Sequence, residues 1–191
     1  MMERPISPPD VRPLGVDDAE AWRVLRLQAL KDHPAAFSSS WEEASQRDLE
    51  AFRAQIPRPD GPDALFGLFV DGALEGAAGF RVQEGLKVRH KGLLWGVYVR
   101  PRARGAGGAQ ALVASVIERA RAHVAILQAV VSVGNPPARR LYVELGFRSY
   151  GVEPAALRVD GVDLDDELLW LDLRPAADSL PGGALSVRRA P

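Results

Sequence analysis

The chain has 191 residues, 47% hydrophobic and 26% charged, with 24 basic side chains against 25 acidic ones and a net charge of −1. That is enough for one domain with a real core, and the balance gives no electrostatic footprint for nucleic acid or an anionic membrane. Cysteine is absent, which excludes disulfides, thiol nucleophiles and thiolate metal sites, and three widely spaced histidines, His33, His90 and His123, do not make a histidine-rich metal centre.

The first residues, MMERPISPPDVRP, hold four prolines and no apolar signal-peptide core, so 1–10 is expected to be a leader. No apolar run reaches the ~20 residues of a membrane span, and a cytoplasmic protein is expected. A short strand is predicted over 11–14. Asp17 with Glu20 resembles a capping box, opening a helix with Trp22, Leu25 and Ala29 on one face. A second helix is predicted over 42–55, with Leu49, Phe52 and Ile56 on one side. In ALFGLFVDGALEGAAGFRV (64–82), Asp71-Gly72 between two apolar runs signals a hairpin. The segment EGLKVRHKG (84–92) is polar and loop-like. LLWGVYV (93–99) is apolar on both parities, which predicts a central strand covered on both faces.

A helix is expected over 107–123, with Leu112, Val113, Val116, Ile117 and Ala120 as its inner stripe. A strand follows at 125–133. Asn135 is placed to cap the next helix, with Pro136 in the permitted first position and Gly146 as the stop. Ala138, Leu141, Tyr142 and Leu145 recur at helical spacing within it. Two closing strands are expected at 147–152 and 166–173, before a Pro- and Gly-rich tail at 174–191. The folded domain is then 11–173, in the order β-α-α-β-β-β-α-β-α-β-β: a mixed α/β sheet of about seven strands flanked by about four helices.

The chemistry is concentrated in VYVRPRARGAGGAQAL (97–112), a strand and a helix joined by a loop nearly without side chains. Such a loop suits a pyrophosphate. The first N–H groups of a helix have no internal partner and carry the positive end of its dipole, and glycines let a phosphate approach the backbone. Arg102 and Arg104 offer guanidinium forks nearby. The dinucleotide fingerprint G-x-G-x-x-G fails at Gln110 and lacks its acidic residue about twenty positions on, and no G-K-[ST] of a P-loop occurs. A glycine loop that merely turns the chain is the competing reading.

Val99, Pro101, Arg104, Gly105, Gly107 and Ala109 together form a V-x-P-x-x-R-G-x-G-x-A pattern that resembles the acetyl-CoA signature of the GCN5-related N-acetyltransferases, the GNAT family. A second stretch, NPPARRLYVELGF (135–147), resembles that family's N-x-x-A-x-x-L-Y-x-x-x-G-F motif at Asn135, Ala138, Leu141, Tyr142, Gly146 and Phe147. The resemblance covers about 11–173 and implies a mostly antiparallel sheet. It also implies direct acetyl transfer from acetyl-CoA to a primary amine, with no metal.

By the same resemblance, the strand at 93–99 splays from that at 125–133, and pantetheine lies between them. Contacts to the cofactor are expected from Val97, Tyr98, Val99, Arg102, Arg104, Gly105, Ala106, Gly107, Gly108, Ala109, Asn135, Ala138 and Tyr142. A backbone N–H of the strand polarises the thioester carbonyl. Tyr142 is the expected proton donor to the leaving thiolate, its phenol being neutral near pH 7; plain core packing is the other reading. Many family members carry a glutamate base thirteen residues before the motif arginine, where this chain has Lys91. That leaves His90, Glu42, Glu43, Glu84 or a water chain. Phe37, Trp41 and Trp95 are expected walls of the acceptor pocket, and DLDDE (163–167) is either an attractor for a cationic amine or a solvated turn. The expected partner is a small-molecule or peptide amine, with a homodimer open and neither nucleic acid nor membrane involved. A non-catalytic acyl-CoA-binding module on the same fold is the alternative function.

Overall fold

The computed structural model describes residues 10–105 and 107–175. Most of the predicted leader and tail, and Ala106, lie outside them. The strands are β1 (Asp10–Pro13), β2 (Ala64–Val70), β3 (Ala73–Val82), β4 (Lys91–Val99), β5 (Ile126–Ser132), β6 (Arg148–Val159) and β7 (Val162–Asp172). The α-helices are α1 (Ala19–Asp32), α2 (Trp41–Ser45), α3 (Leu49–Arg53), α4 (Gly108–Arg121) and α5 (Pro136–Glu144). One sheet runs in the order β1-β2-β3-β4-β5-β7-β6. Its only parallel pairing among the described residues is β4 with β5. The fold is the mixed, mostly antiparallel α/β sheet that the sequence predicts.

Two Asp-Gly pairs fold the hairpins. Asp71 and Gly72 have φ of 49° and 79°, and Asp160 and Gly161 have 50° and 79°, the doubly positive turn that matches strand twist. The second pair extends β6 and β7 well beyond the predicted 147–152 and 166–173.

The predicted helix over 42–55 is two helices. Asp48 accepts a hydrogen bond from the Ala51 amide at 2.9 Å and so caps α3 anew, while Phe52 and Ile56 stay buried as expected. The predicted Asp17–Glu20 box does not form. Asp18 instead accepts from the Gly15 amide at 2.8 Å and from the Arg12 fork, starting a short 3₁₀ turn before α1.

The sheet separates two hydrophobic clusters. Leu112, Val113, Val116 and Ala120 of α4, all fully buried, pack with Phe80, Leu94, Val99 and Leu127 on one face. Trp22, Leu25 and Ala29 of α1 pack with Phe52, Leu65 and Tyr98 on the other. Burial of each large aliphatic side chain is worth ~1.5–3 kcal/mol. The central strand β4 is therefore covered on both faces, as its composition predicts. Leu94 and Val99 are five residues apart yet share a face. A regular strand would put them on opposite faces. The bulge at Gly96 resolves this: its φ is 65°, and Gly96 and Val97 together oppose Ala78.

Candidate functional site

β4 and β5 pair at Lys91–Ile126, Gly92–Leu127 and Leu93–Gln128 only. Beyond that, β4 stays with β3 up to Val99 and β5 stays with β7 up to Ser132. Their facing edges diverge without a strand partner among the described residues, opening the fork that the family resemblance implies. Backbone groups of Val97, Tyr98 and Val99 lie along the open part. The Tyr98 side chain itself turns to the α1 face and donates to Asp32 at 3.0 Å.

At the fork's open end Pro101–Ala103 makes a 3₁₀ turn, and Gly107 caps α4 with φ of 76° and no side-chain cap. Gly105, at φ of 87°, and Gly107 are exposed, and a Cβ on either would meet nothing within 4 Å. Both therefore leave the backbone of the helix start bare toward open space, as a phosphate cradle requires. Gly108 has a different reason. A Cβ there would lie 2.5 Å from Leu68 Cδ2, so this glycine lets α4 sit close on β2.

Arg102 and Arg104 each have partners within the chain. Glu75, 2% exposed on β3, accepts from Arg102 Nε at 2.6 Å and from Arg100 at 3.3 Å. The Arg102 hydrogen bond holds the Glu75 carboxyl below its ordinary range. The Arg102 fork thus ties the 101–103 turn to the sheet. Arg104 donates from Nε to the Val99 carbonyl at 2.9 Å and from Nη2 to His33 Nε2 at 3.2 Å, so it closes the end of β4. Glu75 escaped the sequence reading. Its signal was a lone acid in the apolar run ALEGAAGF, followed by three arginines at 100, 102 and 104.

Asn135 caps α5 through Oδ1, which accepts from the Ala138 amide at 3.2 Å. Ala138 packs at the edge of the α4-side cluster. Tyr142 is 6% exposed in that cluster with Val99 and Val131, its ring 5.6 Å from that of Phe147. Burial pushes its hydroxyl pKa well above the usual phenol value. It therefore holds its proton at any working pH.

On the opposite, α1-side face the fork opens into a cleft of about 700 Å³. Phe37 and Trp95 line it, as expected. Trp41 does not. It is 38% exposed on α2, with Lys31 Nζ 5.8 Å from its ring centre. His90 is exposed where β4 begins, at the closed end of the fork. It lies six residues before Gly96, roughly 20 Å away along the strand. Glu42, Glu43 and Glu84 are exposed and outside the cleft lining.

The carboxylates that do line the cleft are Asp63, Glu153 and Asp166. Asp63 is occupied by the Val82 amide at 2.8 Å. Asp166 sits on β7 opposite Ser132 of β5 and Glu153 of β6. It is 9% exposed, and its pKa is raised by burial first and then by Glu153 and Asp165. Of the acidic run 163–167, Asp166 is thus a cleft residue rather than a solvated turn. A second groove, about 920 Å³, runs between α1 and the β2–β3 turn, and the fork residues are absent from its walls.

The sequence profile of the acetyltransferase (GNAT) family matches residues 26–147. The chain belongs to that family. As a GNAT member it is an N-acetyltransferase, and solved acetyltransferase structures share its fold. A GNAT-superfamily phosphinothricin acetyltransferase from Sinorhizobium meliloti, in complex with AcCoA, has a TM-score of 0.77 at 18% identity, covering 94% of this chain and 96% of that one. A ribosomal-protein-alanine N-acetyltransferase from Brucella melitensis gives 0.74 at 25%, over 85% and 99%. An N-acetyltransferase from Staphylococcus aureus gives 0.72 at 20%, over 88% and 100%. No curated protein matches the sequence. Among the described residues no helix is long and apolar enough to cross a membrane.

Proposed function

We propose that this GNAT protein transfers an acetyl group directly from acetyl-CoA to a primary amine held in the α1-side cleft. One observation carries the reading: the fork between β4 and β5 ends at a bare, glycine-lined helix start on one side and opens into a cleft on the other. Acetyl-CoA bound in the fork supplies a thioester carbon open to attack by an amine. The amides at the start of α4, with Gly105, Gly107 and Ala109 around them, hold the pyrophosphate. The free edge of β4 from Val97 to Val99 pairs with the pantetheine arm, and a backbone N–H there faces the carbonyl oxygen as negative charge develops. Asn135 and Ala138 set the start of α5, which carries Tyr142 toward the fork. Tyr142 donates a hydrogen bond to the departing sulfur and keeps it from returning.

For the base, Asp166 replaces the sequence candidates. A carboxylate whose pKa is raised by burial and by a neighbouring acid is a stronger base than a solvated one. With Glu153 beside it, Asp166 attracts the ammonium form and takes its proton. We assign this activity to the domain over 11–173 and to a cytoplasmic protein. The test is acetyl transfer across an amine library, followed by free-thiol release and by mass. A matched thiol and N-acetyl product supports the proposal. Acetyl-CoA binding without thiol release for every amine would make the protein a non-catalytic acyl-CoA-binding module.

A further inference from the structure

The cleft holds two buried donors with nothing to donate to. Arg26 Nη1 and Trp95 Nε1 are shielded from solvent and have no hydrogen-bond partner among the described residues, and both residues line the cleft. Buried polar atoms are almost always paired, and an unpaired buried charge is among the costlier features a fold can keep. Arg26 has no carboxylate within ion-pair distance among the described residues. Its guanidinium stacks over Phe37, 4.6 Å from the ring centre. Burial lowers its pKa to about 10, and the charge that acts on it is another cation, Arg47, which lines the same cleft. It stays protonated at neutral pH.

The position of this orphan pair matters. Arg26 Nη1 lies 3.9 Å from the point where a Cβ of Gly96 would stand, beside the β4 bulge where the fork opens. The carboxylates of Asp166 and Glu153 belong to other walls of the same cleft. The cleft therefore sets Arg26 of α1 and Arg47 of the α2–α3 loop apart from Glu153 of β6 and Asp166 of β7, with Arg81 and the amide-bound Asp63 on its β2–β3 wall.

We propose that Arg26 and Trp95, with Arg47 in the same cleft, receive a carboxylate of the acceptor, so that the substrate is a small amino carboxylate. The guanidinium fork matches a carboxylate in shape as well as charge, and the indole N–H adds a neutral donor. Because the anion site adjoins the β4 bulge, the reacting nitrogen sits within a few bonds of the carboxylate. This rests on the acetyl-transfer reading for its direction, but carboxylate binding at Arg26 is measurable without any turnover.

The experiment is titration calorimetry of the protein, with and without CoA, using α-amino acids and the matching α-amino amides as probes. The unmodified protein is expected to prefer at least one acid over its amide by about 10- to 100-fold, the range for a hydrogen-bonded charge. Arg26→Gln is expected to erase that preference. Removing an unpaired buried charge should leave the melting temperature equal or higher, which excludes misfolding as the cause. Three results would overturn the assignment: amides binding as tightly as acids, Arg26→Gln keeping the preference, or no amino carboxylate binding at all. Acids that bind selectively but are never acetylated would instead contradict the transfer reading alone. Acetylation indifferent to the carboxylate would contradict the Arg26 assignment alone.

Discussion

Tyr142 and Asp166 illustrate opposite uses of burial. Burial keeps the Tyr142 phenol neutral, so its proposed task is to donate a hydrogen bond, and its own ionisation cannot enter the pH profile. Tyr142→Phe should keep acetyl-CoA affinity and lower kcat by about 10²–10⁴-fold, measured by thiol release beside binding calorimetry. An unchanged kcat would leave Tyr142 as a packing residue. Burial makes the Asp166 carboxylate a better base and a cost to stability. Its folded pKa lies above the unfolded value, so ionising it destabilises the fold once the pH exceeds the ordinary carboxylate range. Asp166→Asn should therefore raise the melting temperature at neutral pH, with the gain vanishing below pH ~4. It should also remove the acidic limb of kcat/KM. A retained acidic limb would move the base elsewhere. Tyr142 and Asn135 were legible because their motif is contiguous. Arg26 and Asp166 were not, since only folding brings the two ends of the chain to one cleft.

Among the elements, the turn after β4 depends on a residue from its neighbour. Glu75 on β3 holds Arg100 and Arg102, so Glu75→Gln should loosen the 101–103 turn. The expected destabilisation is about 1–3 kcal/mol, reduced because Arg102 regains water. The Glu75 pKa is lowered on folding, so its contribution is full above the unfolded value of ~4.3 and fades as the pH falls through the folded one. Denaturation of both proteins across pH checks this: their difference should shrink in acid. The glycines of the loop divide in the same way. Gly108→Ala should destabilise by about 1–3 kcal/mol through overpacking on Leu68. Gly107→Ala should cost about 1–2 kcal/mol from its positive φ and weaken acetyl-CoA binding by adding a Cβ at the cradle. Equal acetyl-CoA affinity in Gly107→Ala would contradict the cradle. Elements were legible wherever a local signal was strong, as at Asp71-Gly72 and in the α4 stripe. The helix over 42–55 misled because its apolar spacing survives the break, Ala44 before the new cap at Asp48 and Phe52 after it both being buried.

Across the whole molecule, the sheet is a partition with one opening. α4 and α5 cover one face, α1 and α3 the other, and the only passage in the described sheet is where β4 leaves β5. In the proposed function, a cofactor lying in the passage from the α4 side would present its reactive end to an acceptor on the α1 side, joining two separate binding surfaces. Element order and the two motifs made this architecture legible in advance. The chemistry of the acceptor cleft was not, because its walls come from α1, β4, β5, β6 and β7 and no single stretch carries its pattern. The most direct measurement is stoichiometric: acetyl-CoA is mixed with the protein and a library of small amino carboxylates, and free thiol is counted against N-acetylated product by mass. One thiol released per acetylated amine, abolished with Tyr142→Phe and Asp166→Asn combined, is the predicted result. Acetyl-CoA bound but no thiol released with any amine would contradict it.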